Sequence, residues 1–178
     1  MLEQNDLDWN NLLKDRIHKK DIEFYVNRLH NDEGSISLLV DTLLSSRDER
    51  ITVNAAWIMS HLSKSDKELY LVPYYDKIAD LAMSPHLSIR RALVLSILFD
   101  IPIENQFRTD LLDYCLTGML DRKETHSTRA MMIKLAAKMC KPFPELSNEL
   151  IINLDVLYNE MTPSIACARK NALKYLKK

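Results

Sequence analysis

The chain has 178 residues and a formal net charge of −1, and it contains only two glycines and six prolines. Glycine and proline together normally make up roughly 12% of a protein, so this scarcity excludes a glycine-rich phosphate loop and a dinucleotide fingerprint. Residues 1–85 carry 10 basic and 15 acidic side chains, whereas residues 86–178 carry 14 and 10, so an anionic partner should prefer the C-terminal half.

Helical periodicity covers most of the chain. Residues 6–31 predict one or two helices, and apolar residues recur at helical spacing in eight further segments: 35–45, 51–62, 66–83, 87–99, 104–120, 126–140, 145–160 and 164–177. Alternating apolar and polar residues are absent, so we predict no strands. Segments 51–62 and 87–99 are apolar nearly all round, which is typical of helices buried on several sides, and Trp57 is predicted to lie in this core.

Helix ends are marked by capping residues and prolines. Asp48, Asp66 and Thr162 are predicted N-caps, with Asp6 or Asp21 as further candidates in the N-terminal segment. Proline is tolerated in a first helical turn, which is where we place Pro85, Pro144 and Pro163.

The predicted helices form pairs that repeat along the chain. The second helix of four pairs begins with a small or β-branched residue followed by Asn or Arg: Val53-Asn54, Ile89-Arg90, Thr128-Arg129 and Ala168-Arg169. The spacings are 36, 39 and 40 residues, and one helix pair per period of this length predicts a helical solenoid.

Residues 45–178 resemble the HEAT/armadillo family. The best unit runs from Leu71 to Leu98, with Pro73 in the first helix and Ile89-Arg90-Arg91-Ala92 at the start of the second. Asp48 takes the place of the family's turn aspartate, whereas Ser84, Lys123 and Pro163 depart from it. The resemblance implies one all-α domain over residues 1–178, a right-handed α-α superhelix of about five helix pairs. It also implies that Arg90, Arg129 and Arg169 make structural bonds between repeats, although ligand contact is the alternative.

Several kinds of chemistry have no motif in the chain. The five histidines form no HExxH motif and no pair at i, i+4, and GxSxG is absent, so we predict no metal, no cofactor and no enzymatic activity. The spacing of Cys115, Cys140 and Cys167 excludes a disulfide framework. Because no signal peptide and no run of 18 apolar residues is found, we expect a cytoplasmic protein with reduced thiols that does not enter a membrane.

One strip along the second helices is the candidate binding face. It lies one, five and nine residues after each Asn or Arg, and its proposed contact residues are Met59, Arg91, Leu95, Phe99, Lys134, Lys138, Lys170 and Lys174. Lys178 continues it. In solenoids the second helices line the concave face that commonly binds partners. The strip predicts a groove that is apolar at one end and cationic at the other.

We therefore interpret the protein as a scaffold that binds an acidic protein or peptide on its concave face. The alternative is nucleic-acid binding by the basic C-terminal part of the strip, as in HEAT-like DNA alkylation-repair proteins. In a third interpretation, the lysines form a solvated face and the N-terminal helices cover the apolar part.

Overall fold

The computed structural model describes residues 8–85, 87, 90–102, 107–160 and 162–177, with only the backbone of residues 159 and 160. Within these ranges every regular element is a helix, as the all-α prediction requires. The α-helices are α1 (Trp9–Leu13), α2 (Lys19–Leu29), α3 (Glu33–Ser45), α4 (Glu49–Ser60), α5 (Lys64–Asp66), α6 (Tyr75–Met83), α7 (Arg91–Asp100), α8 (Thr109–Gly118), α9 (His126–Cys140), α10 (Pro144–Val156) and α11 (Pro163–Leu176). Asp6, His86, Ile89 and Lys178, together with the start of the predicted helix 104–120, lie outside the described residues.

The helices stack in two layers. Helices α4, α7, α9 and α11 pack one after another in an inner row, and each contacts its own partner from the outer row: α3, α6, α8 and α10. Helices α1 and α2 both pack against α3 and α4. One apolar core runs through the stack from Trp9 to Ala172, because a single helix pair cannot bury its own apolar face. This arrangement confirms the predicted α-α solenoid.

The outer helix of the second pair is irregular around Pro73. Helix α5 continues into a π-helix at Lys67–Leu71 and a 3₁₀ turn at Val72–Tyr74 before α6 begins. Proline has no N–H for the i→i−4 bond, so the regular α-helical ladder breaks there. The buried Lys67 then reaches the inner row, where its Nζ donates to the Ser60 carbonyl at 2.7 Å and to Asp100 Oδ2 at 2.6 Å.

The predicted caps are only partly right. The Asp48 carboxylate accepts from the Arg50 and Ile51 amides and caps α4, and Pro144 and Pro163 open α10 and α11. Asp66 is not an N-cap: Ser63 holds that position, because its hydroxyl accepts from the Asp66 amide. Thr162 occupies the N-cap of α11, but its side chain makes no capping bond.

The structural row of the repeats follows the prediction at Arg129 and Arg169, and it is displaced by one residue, from Arg90 to Arg91, at the start of α7. Arg91 Nε donates to the Ala82 carbonyl, Arg129 Nε to Met119 and Arg169 Nε to Leu154. Each bond ties an inner helix to the end of its outer partner, where helical carbonyls lack intrahelical donors. Asn54 donates instead to the Leu13 carbonyl, at the end of α1, at 2.9 Å. Arg90 is exposed instead, so its predicted structural role belongs to Arg91.

Candidate functional site

The apolar end of the predicted strip lies in the core rather than on a groove. Met59 and Leu95 are completely buried, because α1 and α2 pack on α4 while α7 lies between α4 and α9. Trp57, which was expected in the core, is only half-buried. Direct contact of Met59 or Leu95 with a partner is therefore excluded in this conformation, and the expected apolar end of the face is wrong.

Arg91 is also withdrawn from the surface. Its guanidinium donates to the Ala82 and Ser84 carbonyls at 2.9 and 3.0 Å, forms an ion pair with Glu124, and lies 5.7 Å from the centre of the Tyr114 ring. Only 9% of the side chain is exposed. Arg91 therefore binds its own chain, and it cannot take the expected partner-contact role without breaking these bonds.

The middle of the strip does form a groove. A cavity of about 600 Å³ opens between α7, α9 and α11, and the segment around α5 closes one side. Three predicted site residues, Phe99, Lys134 and Lys138, line this cavity. We call it the inner groove; its remaining lining residues are Lys64, Glu68, Asp100, Pro102, Ala137, Asn171, Ala172 and Tyr175.

Lys138 helps to build the groove. Its Nζ donates to the Phe99 and Ile101 carbonyls at 2.6 Å each and lies 5.5 Å from the centre of the Phe99 ring. These carbonyls belong to the C-terminal end of α7, where a cation is favoured by the helix dipole. The ammonium group thus caps α7 and fixes Phe99 against α9.

The groove has an apolar wall and a rim of mixed charge. Phe99, Pro102, Ala137 and Tyr175 provide the apolar surface. Lys64 Nζ lies 3.3 Å from Glu68 Oε1, and the Asp100 carboxylate forms an ion pair with Lys67. Lys134 is exposed and, within the described residues, makes no ion pair. It is therefore the lining cation best placed to meet an acidic group.

The strip does not continue onto α11 as expected. Asn171, Ala172 and Tyr175 face the inner groove, whereas Lys170 and Lys174 line a separate depression of about 460 Å³ with Arg169, Leu173 and Lys177. Equal offsets in sequence therefore do not give one parallel row of lysines. The reason is that the orientation of each inner helix depends on its packing as well as on its place in the repeat.

The sequence analysis does not predict two features of the surface. The first is Tyr175 in the wall of the inner groove; its sequence signal is weak, an aromatic residue within a polar helical segment. The second feature is a cleft lined by Arg16, Ile17, His18, Lys19, Arg50, Val53, Asn54, Trp57 and Arg90. No pattern in the sequence predicts this cleft, because its residues come from three separate segments that only the fold brings together.

The described residues contain no group of three His, Cys, Asp or Glu side chains that could hold a metal ion. No helix within those ranges has the length and apolar character needed to cross a bilayer.

Stacked helix pairs, an inner row tied to the outer row by side-chain-to-carbonyl bonds, and a groove between inner helices together define a helical repeat protein. Comparison with known families agrees with this class: the family model described as HEAT repeat domain matches residues 9–176. The chain belongs to the HEAT repeat domain family. No curated protein and no solved structure gives a significant match.

Proposed function

We propose that this protein is a non-enzymatic HEAT scaffold that binds a protein or peptide segment in the inner groove. The observation that carries the proposal is the cavity itself, about 600 Å³ with Phe99, Ala137 and Tyr175 on its walls. Concave surfaces with apolar walls and a few polar groups are the usual form of binding sites. An apolar side chain of the partner would lie between Phe99 and Tyr175.

The charge near the groove indicates which kind of partner would bind there. Lys134 stands exposed at the rim, and residues 86–178 as a whole are positively charged. An acidic residue beside the apolar anchor would meet Lys134, and the potential of this half would speed association. The proposal therefore keeps an acidic partner but replaces the long lysine strip by Lys134 and the groove walls. It places the protein in the cytoplasm, where free thiols stay reduced.

Site-specific photo-crosslinking in the native cell tests this proposal. A photoreactive phenylalanine analogue replaces Tyr175 in the groove, or Tyr158, which is 60% exposed on another part of the surface. We expect a discrete protein adduct from position 175 that is absent from position 158 and is diminished by Lys134→Glu. No adduct from position 175, or the same adduct from both positions, would contradict the proposal.

A second candidate is nucleic-acid binding through the C-terminal end. Arg169, Lys170, Lys174 and Lys177 surround the depression on α11, although Arg169 is paired with Asp155 at 2.9 Å. Binding to random-sequence duplex DNA at low salt, lost in Lys170→Glu/Lys174→Glu and weakened as salt rises, would favour this candidate.

A further inference from the structure

The cleft beside α4 is a local concentration of positive charge. Its volume is about 580 Å³, and four of its lining side chains are cationic: Arg16, Lys19, Arg50 and Arg90. His18 lines it as well, whereas no aspartate or glutamate is among the lining residues. Three of the four cations, Arg16, Lys19 and Arg50, come from residues 1–85, which together carry an excess of acidic groups.

The guanidinium groups of the cleft are free to bind. Within the described residues, the side chains of Arg16, Arg50 and Arg90 make no hydrogen bond or ion pair. This distinguishes them from Arg91, Arg129 and Arg169, which bind backbone carbonyls. Lys19 is only loosely held, 3.7 Å from the exposed Glu23. Three free arginines facing one cavity repel each other, and an anion between them would remove that repulsion.

The wall of the cleft is held in place by the core. Asn54 donates from one side-chain nitrogen to the Leu13 and Asp15 carbonyls, both at 2.9 Å. Ile17 is buried, with 6% of its surface exposed. These contacts fasten the α1–α2 connection to α4, so that Arg16 and Arg50 line the same cavity. The backbone of this wall is therefore held by buried contacts of the fold.

Trp57 adds an aromatic surface to this cation cluster. Trp57 lines the cleft, is half-buried, and forms an edge-type contact with His61, with ring centroids 6.4 Å apart. An indole beside several arginines suits a ligand that combines a phosphate with a planar ring, because arginine binds phosphate oxygens in pairs and aromatic faces stack with bases.

We propose that this cleft binds a nucleotide, with the phosphates against Arg16, Arg50 and Arg90 and the base against Trp57. A cavity of about 580 Å³ falls in the usual range for small-molecule sites. The nucleotide is either free or one unit of a single strand, since both present the same phosphate and base. This site is separate from the inner groove, so its test does not depend on the proposed scaffold function.

Calorimetry on the full chain tests the assignment, with ADP, pyrophosphate and adenosine as probes at low salt. We expect ADP to bind more tightly than either of its parts. The double variant Arg50→Glu/Arg90→Glu should weaken ADP binding at least about tenfold, because each charge-assisted hydrogen bond is worth on the order of a factor of ten. Arg47→Glu is the matched control, since Arg47 is exposed nearby and does not line the cleft.

The variant Trp57→Leu tests binding of the base separately from binding of the phosphates. It should weaken ADP binding while leaving pyrophosphate binding unchanged, and circular dichroism should show an unchanged helical fold. A 5′-phosphorylated oligothymidylate distinguishes the two sources: tighter binding than ADP, with the same dependence on Arg50 and Arg90, assigns a unit of a strand. Absence of ADP binding, equal binding by the double variant, or pyrophosphate binding as tight as ADP with no effect of Trp57→Leu would overturn the proposal.

Discussion

Replacing Arg91 by alanine should destabilise the protein by about 3 kcal/mol, whereas the same change at the neighbouring Arg90 should cost less than about 0.5 kcal/mol. Arg91 donates to the carbonyls of Ala82 and Ser84 and pairs with Glu124. Alanine leaves all three acceptors without this partner at a place where only 9% of the arginine side chain and 19% of the Glu124 side chain are exposed.

The magnitude follows from those contacts. Removing one member of a buried ion pair typically costs about 3–5 kcal/mol, and an unsatisfied buried acceptor about 1–3 kcal/mol. The lower part of this range applies because Glu124 keeps some access to water. Arg90 is exposed, and its side chain makes no hydrogen bond within the described residues, so its loss removes only a solvated charge.

Urea unfolding of the two single variants measures the difference. The midpoint should fall strongly for Arg91→Ala and hardly at all for Arg90→Ala, with the same dependence on denaturant in both. A double-mutant cycle with Glu124→Ala should give a coupling energy of about 1–3 kcal/mol for Arg91 and none for Arg90. Equal losses at the two arginines, or a larger loss at Arg90, would refute the register of the repeats described above.

Two further predictions concern titratable groups. Burial raises the pKa of Cys115 and Cys140 to about 12, whereas Cys167 is exposed. Ellman's reagent should therefore modify one thiol in the native protein and three after denaturation. A second reactive thiol without denaturant would contradict the packing. Burial opposes ionisation of Asp66, but hydrogen bonds from Ser63, His30 and the Asn31 amide outweigh it and hold the Asp66 pKa below its usual range. When the pKa of a carboxyl is lower in the folded state, ionisation of that carboxyl stabilises the fold at every pH above the unfolded-state pKa of about 3.9. This stabilisation is lost as the pH falls through the folded-state pKa. The difference in unfolding free energy between the wild-type protein and Asp66→Asn should therefore narrow from about pH 6 to about pH 3, and a constant difference would show that ionisation of Asp66 does not stabilise the fold.

The sequence alone determined the helices and their repetition. Apolar residues at helical spacing, together with Asp48, Pro144 and Pro163 at helix starts, are local signals that the sequence itself contains. The period of about 36–40 residues then required stacked pairs with one shared core, because no single pair buries its own face.

Tertiary structure decided which side chains reach the surface. Arg90 and Arg91 are adjacent and chemically identical, and a helix turns by about 100° per residue. A repeat alignment that is wrong by one residue therefore exchanges an exposed arginine for a buried one. Met59 was expected on a groove and lies in the core, because the N-terminal helices cover α4. Lys170 and Tyr175 point into different cavities for a related reason: the rotation of α11 about its axis depends on its packing against α9. Rotation and coverage depend on contacts between residues far apart in sequence, which a pattern within one helix does not contain.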